Sequence, residues 1–256
     1  MSGRLNSDSV GAVWRVESDL SAELITDKLA CCYSIDNQPN GMIFGDDGLL
    51  YLGVGSTSDR GESNTPESER FATPQPYEAS IVKIDVRTGS IQTVAEGIRN
   101  PYDLAFTSNG QLYATDNGLV TGQGDRILRV DNGAFYGFPY WRSRGCPDCP
   151  AREGREAQDD WLLLNDYTLP RGMIVYDGSQ FPMNMLDTLF VAFWNGTYHT
   201  QGIVWIDPND SQLNNDDYAP QPFVTGLIRP VDLTIAPDGS IMIADFVYGH
   251  VWRVSY

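Results

Sequence analysis

The chain has 256 residues, among them 25 Gly and 15 Pro, and 41% of it is hydrophobic. That length fits one large domain, and the Gly and Pro content suits many short strands joined by tight turns, which argues against a helical bundle and against disorder. A formal charge of −17 excludes nucleic acid and anionic lipid as partners, because no basic surface exists to displace counterions from phosphates, and the acidity reads as a solubilising surface.

In chain order, Met1-Ser2-Gly3-Arg4 opens onto polar residues rather than a signal-peptide core. No later run approaches the roughly 18 to 20 apolar residues that span a bilayer, so the chain as written reads as soluble and without an export signal. A first apolar strand, GAVWRV (11–16), is followed by the adjacent pair Cys31-Cys32. Pro39 to Gly48 followed by LLYLGVG then reads as a hairpin, because each half alternates and Asp47-Gly48 supplies the positive φ that a tight turn requires. ASIVKID (79–85) repeats the first strand. A second hairpin runs from Asn100-Pro101 through Asn109-Gly110 to QLYATDNG, and DRILRVD (125–131) follows it. A third copy begins at Leu169-Pro170 and passes Asp177-Gly178 and a longer insertion before DTLFVAFWNG, with GIVWID (202–207) after it. The last copy, Arg229-Pro230 through Asp238-Gly239 to SIMIADF, precedes GHVWRVSY (249–256).

The turn glycines at 48, 110 and 239 are separated by about one and about two periods of roughly 62 residues, with the third copy filling the gap. Two strands of hairpin and two of the second element make a sheet of propeller-blade size. The expectation is an all-β propeller with about four blades in this chain, a single domain over 1–256. Its modules are read as 11–78, 79–124, 125–201 and 202–256, with no helix longer than about two turns. Segments 56–78, 142–168 and 208–222 lack periodicity and read as loops. Cys146-Pro147-Asp148-Cys149 lies in one of them. Its spacing allows a loop-stapling disulfide, free thiols or a metal pair, but no further soft ligands stand near for zinc and no His follows for haem attachment.

Gly97-Ile-Arg-Asn-Pro-Tyr-Asp-Leu-Ala-Phe106, followed by Leu112-Tyr-Ala-Thr-Asp-Asn-Gly118 and by Gly133-Ala-Phe-Tyr-Gly-Phe-Pro139, resembles the soluble quinoprotein glucose/sorbosone dehydrogenases. Phe44 to Tyr51 and the stretch from Arg229-Pro230 to Tyr256 extend the resemblance over most of 11–256. It implies a six-bladed propeller that binds pyrroloquinoline quinone (PQQ) and calcium and oxidises a small sugar or polyol. It also implies a periplasmic or extracellular setting. Arg99 and Asn100 correspond to the family's Arg-Asn pair in the cofactor pocket, where a guanidinium and an amide suit the charge that develops on quinone oxygens. The calcium carbonyls map to Gly118 and Leu119, and Arg229 to an anion-facing position. Arg99, Asn100 and Gly118 are expected to converge on one pocket.

Two departures weigh against the family activity. The family's general base is a His shortly before the Phe-Gly-x-Asp-Gly strand, and here Ile35 to Gly41 holds none. Asp36 in that stretch and His199 in Asn195-Gly-Thr-Tyr-His-Thr are the substitute candidates, while His250 reads as packing or surface. Six blades at roughly 60 residues each also exceed this chain, so the expectation is that a preceding segment or a partner chain completes the ring, or that a rarer, smaller propeller closes on itself. A non-catalytic propeller serving as a binding or assembly module is the competing expectation.

Overall fold

The computed structural model describes all residues other than 6–9, 33–36, 59–74, 119–124, 140–154, 196–200, 214 and 216–217. The described residues form antiparallel strands with one three-residue 3-10 turn, Met183–Met185. Five sheets follow one another along the chain. The first holds β1 (Ser2–Arg4), β2 (Val10–Val16) and β3 (Ala22–Ala30). The second holds β4 (Pro39–Phe44), β5 (Leu50–Val54), β6 (Ser80–Asp85) and β7 (Ser90–Glu96). The third holds β8 (Pro101–Phe106), β9 (Leu112–Asp116), β10 (Arg126–Val130) and β11 (Leu162–Leu163). The fourth holds β12 (Pro170–Val175), β13 (Leu189–Phe193), β14 (Gly202–Ile206) and β15 (Gln221–Thr225). The fifth holds β16 (Pro230–Ile235), β17 (Ile241–Asp245) and β18 (His250–Val254).

Each expected hairpin forms the first two strands of a sheet, and the recurrent second element supplies the third. Sheet boundaries therefore differ from the modules read from sequence: residues 79, 125 and 202 each fall inside a sheet, because β6, β10 and β14 bond back to the hairpin before them. β11 is a strand within a stretch read as loop, and it completes its sheet by pairing with Arg126 and Ile127.

Three hairpins turn by the same local chemistry. Asp47, Asn109 and Asp238 each accept, with Oδ1, the backbone N–H two residues on, at 3.1, 3.1 and 3.0 Å. Gly48, Gly110 and Gly239 between them stand at φ 73°, 82° and 84°, a region that side chains other than glycine's enter at a cost. The second strand of each hairpin is more buried than the first, and β9 and β13 are buried along their whole length.

The chain divides into two compact units, Met1–Tyr102 with Val130–Asp159, and Asp103–Arg129 with Asp160–Tyr256. In the first, Val13 and Leu29 pack with Leu50, Leu52, Val82 and Ile84, joining the first sheet to the second. In the second, Tyr113 and Ile127 pack with Leu189, Val191 and Val204, and Phe190 and Ile203 pack with Leu233, Ile241 and Ile243. Each such side chain contributes about 1.5–3 kcal/mol on leaving water, and within each unit this packing joins one sheet to the next.

Candidate functional site

In the first unit, three connections bring buried polar side chains together. β7 ends at Glu96, and the buried Ile98 anchors the turn that presents Arg99 and Asn100 ahead of Pro101. Asn100 is 1% exposed and accepts from Asn40 Nδ2, at the start of β4, through its Oδ1 at 3.3 Å. The N–H of Ser56, just past β5, donates to the Arg99 carbonyl at 2.8 Å. Ser56 is fully buried and its hydroxyl donates to the Ser58 carbonyl, while the Ser58 N–H returns to Ser56 Oγ at 3.1 Å. Asn37 completes the group. It is 2% exposed, and its Nδ2 finds no acceptor among the described residues. A Cβ on Gly55 would lie 2.7 Å from the Asn37 carbonyl carbon and oxygen, so only glycine lets the backbone at Asn37 approach this closely. A buried donor left unpaired costs about 1–3 kcal/mol, a cost that a ligand able to accept from it removes.

In the second unit, Gly118 follows β9, and Asp125 closes the loop that begins there. Asp125 Oδ1 accepts from the Gly118 N–H at 2.7 Å, Oδ2 accepts from the Leu169 N–H at 2.5 Å, and its carbonyl accepts from the Leu164 N–H at 2.7 Å. Burial pushes the Asp125 carboxyl up to about 6, against the pull of these amides, and the charge of Asp116 adds to the rise. Beside it, Arg126 donates to Asp116 with Nε and to Asp160 with Nη1, both at 2.8 Å, and all three side chains are less than 10% exposed. The carboxylates around this loop are therefore engaged with a guanidinium or with backbone amides. A hard cation there would rest on carbonyl oxygens. Arg229, ahead of β16, donates from Nη1 to the Trp194 carbonyl at 3.0 Å and to Asn195 Oδ1, and its guanidinium lies 5.6 Å from the Trp194 ring centre. Arg171 lies 5.0 Å from the same centre.

The structure thus places Arg99 and Asn100 together in the first unit, and Gly118 and Arg229 in the second. Leu119, Asp36 and His199 lie outside the described residues, as do Cys146 and Cys149. His250 is an exposed residue on β18 in ring contact with Tyr248 and Trp252. Sequence reasoning missed Asn37, Asn40, Ser56 and Ser58. The signal was present in the repeat: Asn37-Gln38 precedes Pro39 as Arg99-Asn100 precedes Pro101.

A family model described as glucose / sorbosone dehydrogenase matches residues 25–245. An uncharacterised protein of Borreliella burgdorferi is 25% identical over 229 residues, and the chain spans 60% of that relative's length. Among solved structures, a glucose dehydrogenase superposes with a TM-score of 0.72 at 15% identity, over 99% of this chain and 77% of its own. The PQQ-bound aldose sugar dehydrogenase of Streptomyces coelicolor gives 0.66 at 19%, over 98% of this chain and 72% of its own. The soluble aldose sugar dehydrogenase of Escherichia coli, in the apo-form, gives 0.64 at 17%, over 94% and 72%. At such identities the likeness speaks for the fold, a β-propeller of the quinoprotein type.

Proposed function

Since the chain belongs to the glucose/sorbosone dehydrogenase family, we propose that it binds PQQ and serves as a quinone-dependent sugar or polyol dehydrogenase in which binding is better preserved than turnover. One observation carries this reading. The pair matching the family's cofactor-lining Arg-Asn, Arg99 and Asn100, stands beside a buried group of amides and hydroxyls, and within it Asn37 Nδ2 is a donor without an acceptor among the described residues.

That donor set fits a quinone. Amide N–H groups donate to carbonyl oxygens, and a guanidinium stabilises the negative charge those oxygens gain. Asn37 and Asn100 would orient the ring oxygens, and Arg99 would hold the charge in a site largely closed to water. When bound, PQQ supplies the hydride acceptor for oxidation of a substrate hydroxyl. In the second unit, Arg229 would face an anionic group, and the carbonyls of Gly118 and Leu119 would serve calcium. Both assignments rest on the family pattern.

Oxidation also needs a group to take the hydroxyl proton, and such a base contributes about 10² to 10⁴ in rate. Asn37, in the stretch where the family carries its His, is an amide and takes no proton. Asp36 and His199 are the base candidates. The same observation favours a second reading, a propeller that holds a ligand without turning it over.

The experiment is to titrate PQQ by absorbance in the presence of calcium, and then to assay dye reduction with glucose, sorbosone and simple polyols. The expected result is saturable quinone binding that is lost in Asn100→Ala, with dye reduction weak or absent. Failure to bind the quinone would overturn the proposal in favour of a plain scaffold. Robust turnover abolished by Asp36→Asn or His199→Gln would show that a base is in place and that turnover is intact.

A further inference from the structure

In the second and fourth sheets the third strand, β6 or β14, is flanked by a fourth, β7 or β15. Val82 and Val204 stand there opposite the middle residues of the second strands, Leu52 and Val191, with Ile81 and Ile203 just before them, and all four are buried. In the fifth sheet the same two positions belong to Trp252, opposite Ile243, and to Val251 before it, and these are 46% and 66% exposed. Among the described residues no strand pairs with the outer edge of β18. Like positions in like register are thus covered where a fourth strand stands and open where none does.

The open edge is held in place and apolar. β18 pairs with β17 along its length, Arg253 donates from Nε to Ser240 Oγ at 3.0 Å and from Nη2 to Asp238, and the Tyr256 N–H donates to Gln180 Oε1 at 3.3 Å. Phe246, Val247, Tyr248 and Tyr256 are exposed beside Val251 and Trp252. Residues 246–256 include no Asp or Glu, in a chain that has 34 of them. Two copies at −17 each repel over most of their surface, and on this strand they can meet without opposing carboxylates. A covered aromatic side chain buries about 150–250 Å². At the exposures of this patch, two copies together would remove roughly 1,200 Å² from water, which reaches the lower end of specific interfaces.

We infer that two copies of this chain associate through β18, the strand of one copy running antiparallel to that of the other about a two-fold axis at Trp252. That register overlaps the two strands over their whole length and sets Val251 of each copy opposite Arg253 of the other. Antiparallel pairing suits identical strands, because each offers the other the same row of outer-edge N–H and C=O groups. Two three-stranded sheets become one of six strands, and Val251 and Trp252 gain the cover that Ile203 and Val204 have beside β15. The contact is isologous and closes on itself, so assembly stops at two. An interface of this size gives a dissociation constant of about micromolar order. This inference does not depend on the proposed quinone chemistry.

The test uses the full chain. Sedimentation velocity from about 0.5 to 100 µM should show a monomer passing to a dimer, with no larger species. Hydrogen exchange in peptides covering 248–256 should be at least about fivefold slower at the upper concentration, and exchange in 80–96 should be the same at both. Val251→Lys sets like charges opposite each other in two symmetry-related pairs, and Val251→Glu sets opposite charges there. The lysine variant should therefore have a dissociation constant at least about tenfold above that of the glutamate variant. General repulsion between acidic copies predicts the reverse order, since Glu adds to the net charge and Lys reduces it. Both variants should keep Tm within about 3 °C of the parent chain, because Val251 is exposed. A monomer at every concentration overturns the inference and leaves the edge to another occupant. So does a dimer in which Val251→Lys and Val251→Glu pair equally well or in the reverse order, and so do species larger than two. Failure of quinone binding leaves all of these readouts in place.

Discussion

The Asp103 carboxylate on β8 accepts the backbone N–H of Met173 on β12 with Oδ2 at 2.7 Å, so an ionisable group takes part in joining two successive sheets. Its other oxygen accepts from the Leu104 N–H at 2.9 Å. Burial pushes the carboxyl up to about 7; the Asp232 charge adds to this, and the two amides oppose it. The folded protein therefore keeps a proton that the unfolded chain, with its ordinary carboxylate near 3.8, has already released. The stability this contributes is full below that value and is lost as pH rises through about 7. Melting temperature should fall by a few degrees between pH 5 and pH 8. Asp103→Asn should flatten the upper part of that fall, leaving the part below about pH 6.5 to Asp125. Melts by circular dichroism across this range check it, and an unchanged slope in the variant would refute it.

A second expectation concerns the ion triad in the third sheet. Arg126→Met leaves Asp116 and Asp160 buried without their cation, so urea unfolding should show a loss of about 3–5 kcal/mol. Replacing an exposed partner elsewhere, as in Arg15→Met beside Glu17 and Glu23, should change stability by less than about 1 kcal/mol.

Asp125 secures the loop after β9 by accepting two backbone N–H groups with one carboxylate. Asp125→Ala should cost about 2–3 kcal/mol in urea unfolding, because both amides lose their partner while partly buried. Asp125→Asn keeps one acceptor oxygen and should recover about half of that. Exchange at the Gly118 and Leu169 amides reports directly, and should rise in both variants but more in the alanine.

Asn37 sets stability against binding. Asn37→Leu removes a buried donor that has no acceptor among the described residues, so the ligand-free protein should hold its stability or gain about 1 kcal/mol. Quinone affinity should nevertheless drop at least about tenfold if the amide serves the cofactor. A drop in both quantities would show that Asn37 is a structural residue.

The hairpins were legible because their information is local: Asp47-Gly48, Asn109-Gly110 and Asp238-Gly239 carry the acceptor and the positive φ within a few residues. Sheet membership was harder to read. Whether ASIVKID opens one sheet or closes another depends on which edge β6 finds, and no residue within it records that choice. Asp177-Gly178 does not supply a tight turn of this kind, since the chain runs on through Met183–Met185 before β13. Of the site, Arg99 and Asn100 were visible through their motif, and Asn100 proved buried. Asn37, Ser56 and Ser58 look like ordinary turn residues in sequence, and only burial distinguishes them.

Among the described residues every strand pairs within a sheet made of consecutive strands, and this bears on how the chain folds and how it can change. Each ladder closes over a short stretch of polypeptide, the longest being that between Val130 on β10 and Leu162 on β11 and that between Val54 on β5 and Ser80 on β6. Closure entropy rises only logarithmically, so doubling either stretch would raise the free energy of the fold by about 0.6 kcal/mol and would leave every ladder register intact. Nucleation is correspondingly dispersed, since any sheet can form its hydrogen bonds before its neighbours have formed theirs. Recognition can thus drift at the ends of the sheets over evolutionary time while the folding route stays the same.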